Sequence, residues 1–339
     1  MAGMAGRRTL PLQTIALAVS VAAAACGGDS TTPTSPTPST LQLTIACPAA
    51  RTATSLQSQP ATVTWTAPTT SGGTAPVYVA CTPASGASFS VGSTTVACTA
   101  TGSAASEAAS CSFTVTVTRP PQMSVTRFMA FGDSITWGTA APVAGYLPYK
   151  DPPPTYSYPS QLLAMLGGRY LDQSITMANE GWPGEWIADG LGRLPDAAAF
   201  NAPEVVLLLD GANDLLNNPS RATTEYIASK LQAMVRTAKG RIPANRVLLA
   251  TFPPQWHGTV PYDRGAGADF VPELNQRIAS VAGSEGATLV DLYTPLSADI
   301  KRYIGADGLH PTEAGFALIA QTFSAAIKDA FEVKTTTRR

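Results

Sequence analysis

Five short apolar runs recur between residues 127 and 293, and nothing else in the chain constrains its fold as strongly. They are RFMAFGD (127–133), SITMANEG (174–181), PEVVLLLDG (203–211), RVLLATF (246–252) and ATLVDLY (287–293). Stretches of helical period lie between and after them, at 158–168, 223–240, 269–283 and 312–331. A strand with one wet face alternates apolar and polar residues, whereas a continuous apolar run is buried on both faces. Such runs alternating with amphipathic helices predict a parallel sheet covered on both sides. In these sheets ligands bind beyond the C-terminal ends of the strands, so the residues just after each run are the candidates for chemistry.

Residues 41–120 follow a different rule. Leu41, Leu43, Ile45 and Cys47 alternate with polar residues, as do Val63 and Trp65, then Val77, Val79 and Cys81, Val96 and Cys98, and Cys111, Phe113, Val115 and Val117. This period of two, broken by TTSGGT, ASGAS, VGS and ATGSA, predicts a small β-sandwich. Its four cysteines share the phase of the apolar residues and are expected to point inward and be oxidised in an exported protein. Four cysteines allow three connectivities. The nested one, Cys81–Cys98 with Cys47–Cys111, needs only that the first and last strands be neighbours and the middle two likewise.

The N-terminus has the form of an export signal. Arg7 and Arg8 precede an apolar segment, 9–25, that ends in small residues. The expected boundaries are a signal at 1–25, a tether at 26–40, the β-module at 41–120, a linker at 121–126, a second domain at 127–332 and a tail at 333–339. The tether, GGDSTTPTSPTPST after Cys26, has no large apolar side chain with which to form a core. VAAAACGG is similar to a bacterial lipoprotein signal, which implies lipidation of Cys26 and contact with a membrane through that anchor. Ordinary cleavage after Ala25 is the other reading, giving a secreted protein. Of five cysteines, Cys26 is the one left over by the β-module. Charge is balanced, 22 basic against 23 acidic residues, so no nucleic-acid partner is implied.

Ser134 stands directly after the first strand in FGDSITWG, where Gly132 permits a tight turn. Gly-Asp-Ser alone is also ordinary turn composition. A serine nucleophile needs a base, and the chain has two histidines. His310, in ADGLHPTEAG, is kept out of helical geometry by Pro311 and should lie at the same sheet edge. Asp307 can fold back onto one imidazole nitrogen while the other accepts the serine proton; a helix cap is its duller reading. His257, in PPQWHGTV, reads as a loop or pocket residue. Gly184, in NEGWPGEW, and Asn213, in DGANDLL, follow the second and third runs. With the Ser134 amide they can form the two or three donors an oxyanion needs, although a turn and a helix cap would use the same residues. No metal-ligand cluster appears, so no cofactor is expected.

Taken together, Gly132-Asp133-Ser134, Gly184, Gly211-x-Asn213-Asp214 and Asp307-x-x-His310 resemble the four motif blocks of the SGNH hydrolases, the GDSL-like esterase superfamily. Ile135 stands at the usual leucine position. The resemblance implies a three-layer α/β/α, flavodoxin-like fold with a five-stranded parallel sheet. It implies an ester hydrolase with Ser134 as nucleophile, His310 as base, Asp307 as its orienter, and Ser134, Gly184 and Asn213 in the oxyanion hole. Residues 81–117, with Cys47-Pro48, resemble a hyalin-repeat (HYR) module, an immunoglobulin-like domain whose relatives act in adhesion or spacing. That implies surface or glycan contact through this module.

Aromatic residues gather around the expected site: Trp137, Tyr146, Tyr149, Tyr156, Trp182, Trp186 and Trp256. Trp137 and Trp182 are expected to line the substrate pocket, with 139–157 as one wall. Rings of this kind suit sugars, and a short acyl ester on a carbohydrate, such as an acetylated glycan, is the favoured substrate. A lipid esterase or lysophospholipase is the alternative. A catalytically idle surface adhesion protein is the alternative of another class.

Overall fold

The computed structural model describes residues 42–104, 106–140, 153–243, 246–258 and 264–334. The expected signal, tether and lipidation site at Cys26 lie outside the described residues, as do Tyr146, Tyr149 and most of the expected pocket wall.

The N-terminal part is all-β. Its strands are β1 (Thr44–Ala46), β2 (Arg51–Thr54), β3 (Ala61–Thr62), β4 (Thr69–Ser71), β5 (Tyr78–Thr82), β6 (Ser88–Phe89), β7 (Gly92–Thr101) and β8 (Ala108–Thr118). Four form a sheet in the order β2-β8-β7-β5, while β1 pairs with β4 and β3 with β6. Val63, Phe89, Val96, Phe113, Val115 and Val117 make the core. Trp65 packs edge-on against Phe113, ring centres 5.1 Å apart. Cys81 stands directly opposite Cys98 across β5 and β7. These two are bridged, and Cys47 is bridged to Cys111, which is the nested pairing. Two expectations need correction. TTSGGT was expected as a turn, yet Thr69–Ser71 pairs with β1; small polar residues on so short a strand leave no alternation to read. Val79 was expected to point inward but is 38 % exposed, because β5 is an edge strand.

The second part begins before residue 127. Met123 and Val125, expected in a linker, are buried in the larger core. The Ser124 N–H donates to the Phe331 carbonyl, and the Val333 N–H to Gln122. Thus 122–125 and the chain's last helix close on each other.

Its elements are β9 (Arg127–Gly132), α1 (Ser134–Trp137), α2 (Tyr158–Arg169), β10 (Thr176–Gly181), α3 (Ile187–Asn201), β11 (Val205–Leu209), α4 (Ala212–Asn217), α5 (Arg221–Lys239), β12 (Val247–Ala250), α6 (Val271–Glu285), β13 (Thr288–Val290), α7 (Tyr293–Ser297), α8 (Ile300–Tyr303) and α9 (Glu313–Phe331). The sheet is five-stranded and parallel, in the order β10-β9-β11-β12-β13. Helices α3, α5 and α6 pack together on one face, and α2 with α9 on the other. Each all-apolar run is a strand covered on both sides, as its pattern requires. The two edge strands are the exceptions: β10 is mostly half-buried, and in β13 Leu289 is exposed. Helix α3 has two glycines and Pro195, poor helix formers, yet it closes because Ile187, Leu194, Ala197 and Ala198 bury against the sheet.

Chain order reverses between β10-β9 and β9-β11, and the crevice at such a reversal is where open sheets bind ligands. Register sharpens this. Gly132 ends β9 level with Gly181 of β10 and Leu209 of β11. The turns carrying Ser134, Gly184 and Asn213 therefore leave the sheet side by side.

Candidate active site

Gly132 is required by close approach. A Cβ there would collide with the Leu209 carbonyl, so the strand can turn into α1 only without a side chain. Asp133 caps α1: its Oδ1 accepts the Ile135 N–H at 3.0 Å. Its Oδ2 accepts the Ala212 N–H at 2.9 Å, which binds the turn after β9 to the turn after β11. Ser134 is thereby fixed as the first helical residue and is 6 % exposed.

Ser134 Oγ lies 2.8 Å from His310 Nε2, and His310 Nδ1 lies 2.6 Å from Asp307 Oδ2. A carboxylate only accepts, so Nδ1 carries the proton and Nε2 is left to accept from the serine hydroxyl. Asp307 Oδ1 also accepts the N–H groups of Leu309 and His310, at 3.1 and 3.0 Å. Burial works to raise the Asp307 carboxyl, but the His310 hydrogen bond and charge and these two N–H groups outweigh it, leaving it below its ordinary value. Asp307 does not cap the following helix; Thr312 does, accepting from Gly315 N.

Trp182-Pro183-Gly184-Glu185 is a β-turn, with the Glu185 N–H donating to the Trp182 carbonyl at 3.1 Å. Proline first and glycine at φ 84° second are the signature of type II. The turn's own hydrogen bond does not use the Gly184 N–H, and no atom lies within 4 Å of where a Cβ on Gly184 would be. Asn213 sits inside α4 rather than capping it; the cap is Gly211. One hydrogen of its amide goes to the Glu185 carbonyl at 2.9 Å, which leaves the other for a ligand. Asp214 Oδ2 accepts the Ile187 N–H at 2.9 Å and ties α4 to the start of α3.

The expected pocket residues divide. Trp182 is 54 % exposed and borders a cavity of about 420 Å³ with Gly184, Glu185, Asp189 and Arg193. Trp137 is only 6 % exposed and packs inside α1, so the pocket role expected of it is not supported. His257 is exposed on its loop.

Sequence reasoning missed the carboxylates beneath the site. Asp210 follows β11 fully buried, and among the described residues neither of its oxygens has a hydrogen-bond partner. The nearby Gly211 N–H falls outside hydrogen-bond geometry. A Cβ on Gly190 would collide with Asp210 Oδ2 and lie 3.1 Å from Glu185 Oε2, so both carboxyls face that glycine. Burial, then the charges of Asp133 and Glu185, push Asp210 well above its ordinary value. Arg193 forms a fork on Glu185, 2.8 Å to each oxygen, and reaches Glu180 at 3.0 Å. Among the described residues these acids do not form a group that could hold a metal ion. The signal was present: one acid in an otherwise apolar strand, VVLLLDG.

With this geometry established, comparison with known proteins places the chain. The model of the GDSL-like lipase/acylhydrolase family matches residues 130–318. The chain belongs to that family. It is accordingly a carboxylic ester hydrolase, and a second model, the HYR domain, matches residues 40–117. No curated protein matches. Among solved structures, the aryl esterase of M. smegmatis is 23 % identical, covering 60 % of this chain and 99 % of its own, with a TM-score of 0.50. The lipase/acylhydrolase of Enterococcus faecalis is 24 % identical, covering 62 % and 100 %, with a TM-score of 0.49. A carbohydrate acetylesterase of Sinorhizobium meliloti is 21 % identical, covering 61 % and 100 %, with a TM-score of 0.48. At such identities the likeness to the aryl esterase speaks for the fold of the hydrolase part alone.

Proposed function

We propose that the protein is an exported serine esterase that cleaves short acyl esters of carbohydrates through an acyl-enzyme. The observation that carries the mechanism is the unbroken chain from Ser134 Oγ to His310 Nε2 and from His310 Nδ1 to Asp307, at 2.8 and 2.6 Å. Ser134 Oγ attacks the ester carbonyl as His310 Nε2 takes its proton. The tetrahedral oxyanion is held by the N–H groups of Ser134 and Gly184 and the Asn213 amide. His310 then returns the proton to the leaving alcohol. Water, deprotonated by the same imidazole, releases the acid and restores Ser134. Asp307 keeps the imidazole tautomer and steadies the imidazolium.

Export is supported by the two disulfides and the HYR module, since bridges persist in oxidising compartments. Anchoring through a lipid on Cys26 is part of this reading, and the mass of the mature N-terminus tests it. The preference for short acyl groups on sugars rests on the exposed Trp182 ring beside Gly184 and on a cavity bordered by Glu185, Asp189 and Arg193, with Pro183 its one aliphatic side chain. The test is a fluorophosphonate probe combined with a series of p-nitrophenyl esters. The expected result is labelling that vanishes in Ser134→Ala and turnover that falls as the acyl chain lengthens. Labelling that survives Ser134→Ala would overturn the nucleophile, and turnover rising towards long chains would favour a lipid substrate.

A further inference from the structure

A second concavity lies where the start of α3 meets α4 and α5. It encloses about 340 Å³ and is bordered by Trp186, Asp214, Asn218, Ala222, Thr223 and Tyr226. Trp186 is the residue before α3 and is 45 % exposed; Tyr226, on α5, is 41 % exposed. Large rings left this open at a cavity wall are the surface a flat apolar ligand face would cover. The polar groups between them are a carboxylate, an amide and a hydroxyl. Ala222 is the one aliphatic side chain on the wall, too small to grip an acyl tail.

The place of this concavity matters as much as its lining. Trp186 stands two residues after Gly184, and Asp214 directly after Asn213. One half of the wall is therefore built on the two segments that carry the oxyanion donors, and the other half, Ala222, Thr223 and Tyr226, on α5. Asp214 Oδ2 already accepts from Ile187 N, which braces the two segments against each other. Lys230 Nζ lies over the Tyr226 ring, 5.1 Å from its centre.

We propose that this concavity is a distal sugar subsite, which receives a neutral pyranose unit of a polysaccharide while an ester on a neighbouring unit reacts at Ser134. The assignment rests on the carbohydrate-ester reading and deepens it by naming the residues that would hold a second unit of the glycan. A pyranose offers an apolar C–H face to each ring and hydroxyls to the groups between them. Asp214 is the one charged side chain on the wall and disfavours an acidic chain.

The test uses the full-length protein, acetylated xylan as the polymer and p-nitrophenyl acetate as the small ester. Trp186→Ala and Tyr226→Ala are each expected to lower the ratio of kcat/KM on xylan to that on p-nitrophenyl acetate by about tenfold, through KM. Tyr226→Phe, which keeps the ring, should restore most of it. In Ser134→Ala, titration with deacetylated xylohexaose should show binding that a second change, Tyr226→Ala, abolishes. An unchanged ratio, or xylohexaose binding indifferent to Tyr226, overturns the subsite. If the wild type fails to cleave p-nitrophenyl acetate, the esterase reading fails, while the titration still decides the sugar site.

Discussion

Two carboxyl groups at the same edge of the sheet, both shut away from water, have opposite surroundings. Asp307, on the loop before α9, meets an imidazole N–H and two backbone N–H groups. Asp210, directly after β11, has no hydrogen-bond partner on either oxygen among the described residues, with only the Gly211 N–H nearby, and faces the charges of Asp133 and Glu185. The first is held below its ordinary pKa and the second well above it. Burial acts on both in the same sense, so the difference comes from the partners. A buried carboxylate becomes a tool when donors surround it, and a neutral acid when they do not.

On the proposed mechanism, the largest effect should come from removing the charge that faces His310. Asp307→Asn keeps the shape but loses the acceptor that sets the imidazole tautomer, and kcat should fall by about 10⁴-fold. Steady-state turnover of p-nitrophenyl acetate measures it, with the Tm as a check on folding. A loss of less than tenfold would mean that Asp307 does not orient His310. Next is Asn213→Ala, with kcat down by roughly 10²–10³-fold and fluorophosphonate labelling of Ser134 slowed in parallel. A smaller loss would show that the Ser134 and Gly184 amides suffice for the oxyanion. Third, Arg193→Leu leaves Glu185 buried without its fork. A fully buried pair broken in this way costs about 3–5 kcal/mol. The Arg193 side chain is 20 % exposed, so roughly 2 kcal/mol is expected, read from chemical denaturation.

Much of the reactive corner was legible because it is local. Asp307 and His310 are three residues apart, Pro311 bars helix there, and the strand-end rule places Ser134, Gly184 and Asn213 without any knowledge of packing. The apolar runs were equally plain, since a strand buried on both faces needs no phase. The nested disulfides followed from strand phase, but other features set by neighbours did not. Trp137 looks like a pocket ring but turns inward with α1. Met123 and Val125 look like linker until α9 closes over them. Thr69–Ser71 becomes a strand only because β1 lies beside it. Asp210 is the mixed case: an acid in an apolar run stands out, but no spacing rule reveals that Gly190 of the preceding helix leaves room for its carboxyl.

The smallest effect on turnover is expected at Asp210, and there the contrast with Asp307 is sharpest. Asp210→Asn preserves size and neutrality and removes only the ability to ionise. In the wild type the folded state holds a proton on Asp210 that the unfolded chain gives up near pH 4. As pH rises above that value, the unfolded state binds fewer protons than the folded one, so wild-type stability falls until Asp210 itself titrates. The slope for one such proton approaches about 1.4 kcal/mol per pH unit. Asp210→Asn should therefore gain stability over the wild type with rising pH, in a series of denaturation curves from pH 4 to pH 9. Asp307 gives the opposite sign: its contribution is present above the ordinary carboxylate range and fades as pH drops through its lowered value. A wild-type and Asp210→Asn difference that stays flat with pH would mean that Asp210 is ionised in the folded protein. Arg193 would then have to be counted as the counterion of two carboxylates, Asp210 and Glu185, rather than of Glu185 with its neutral neighbour.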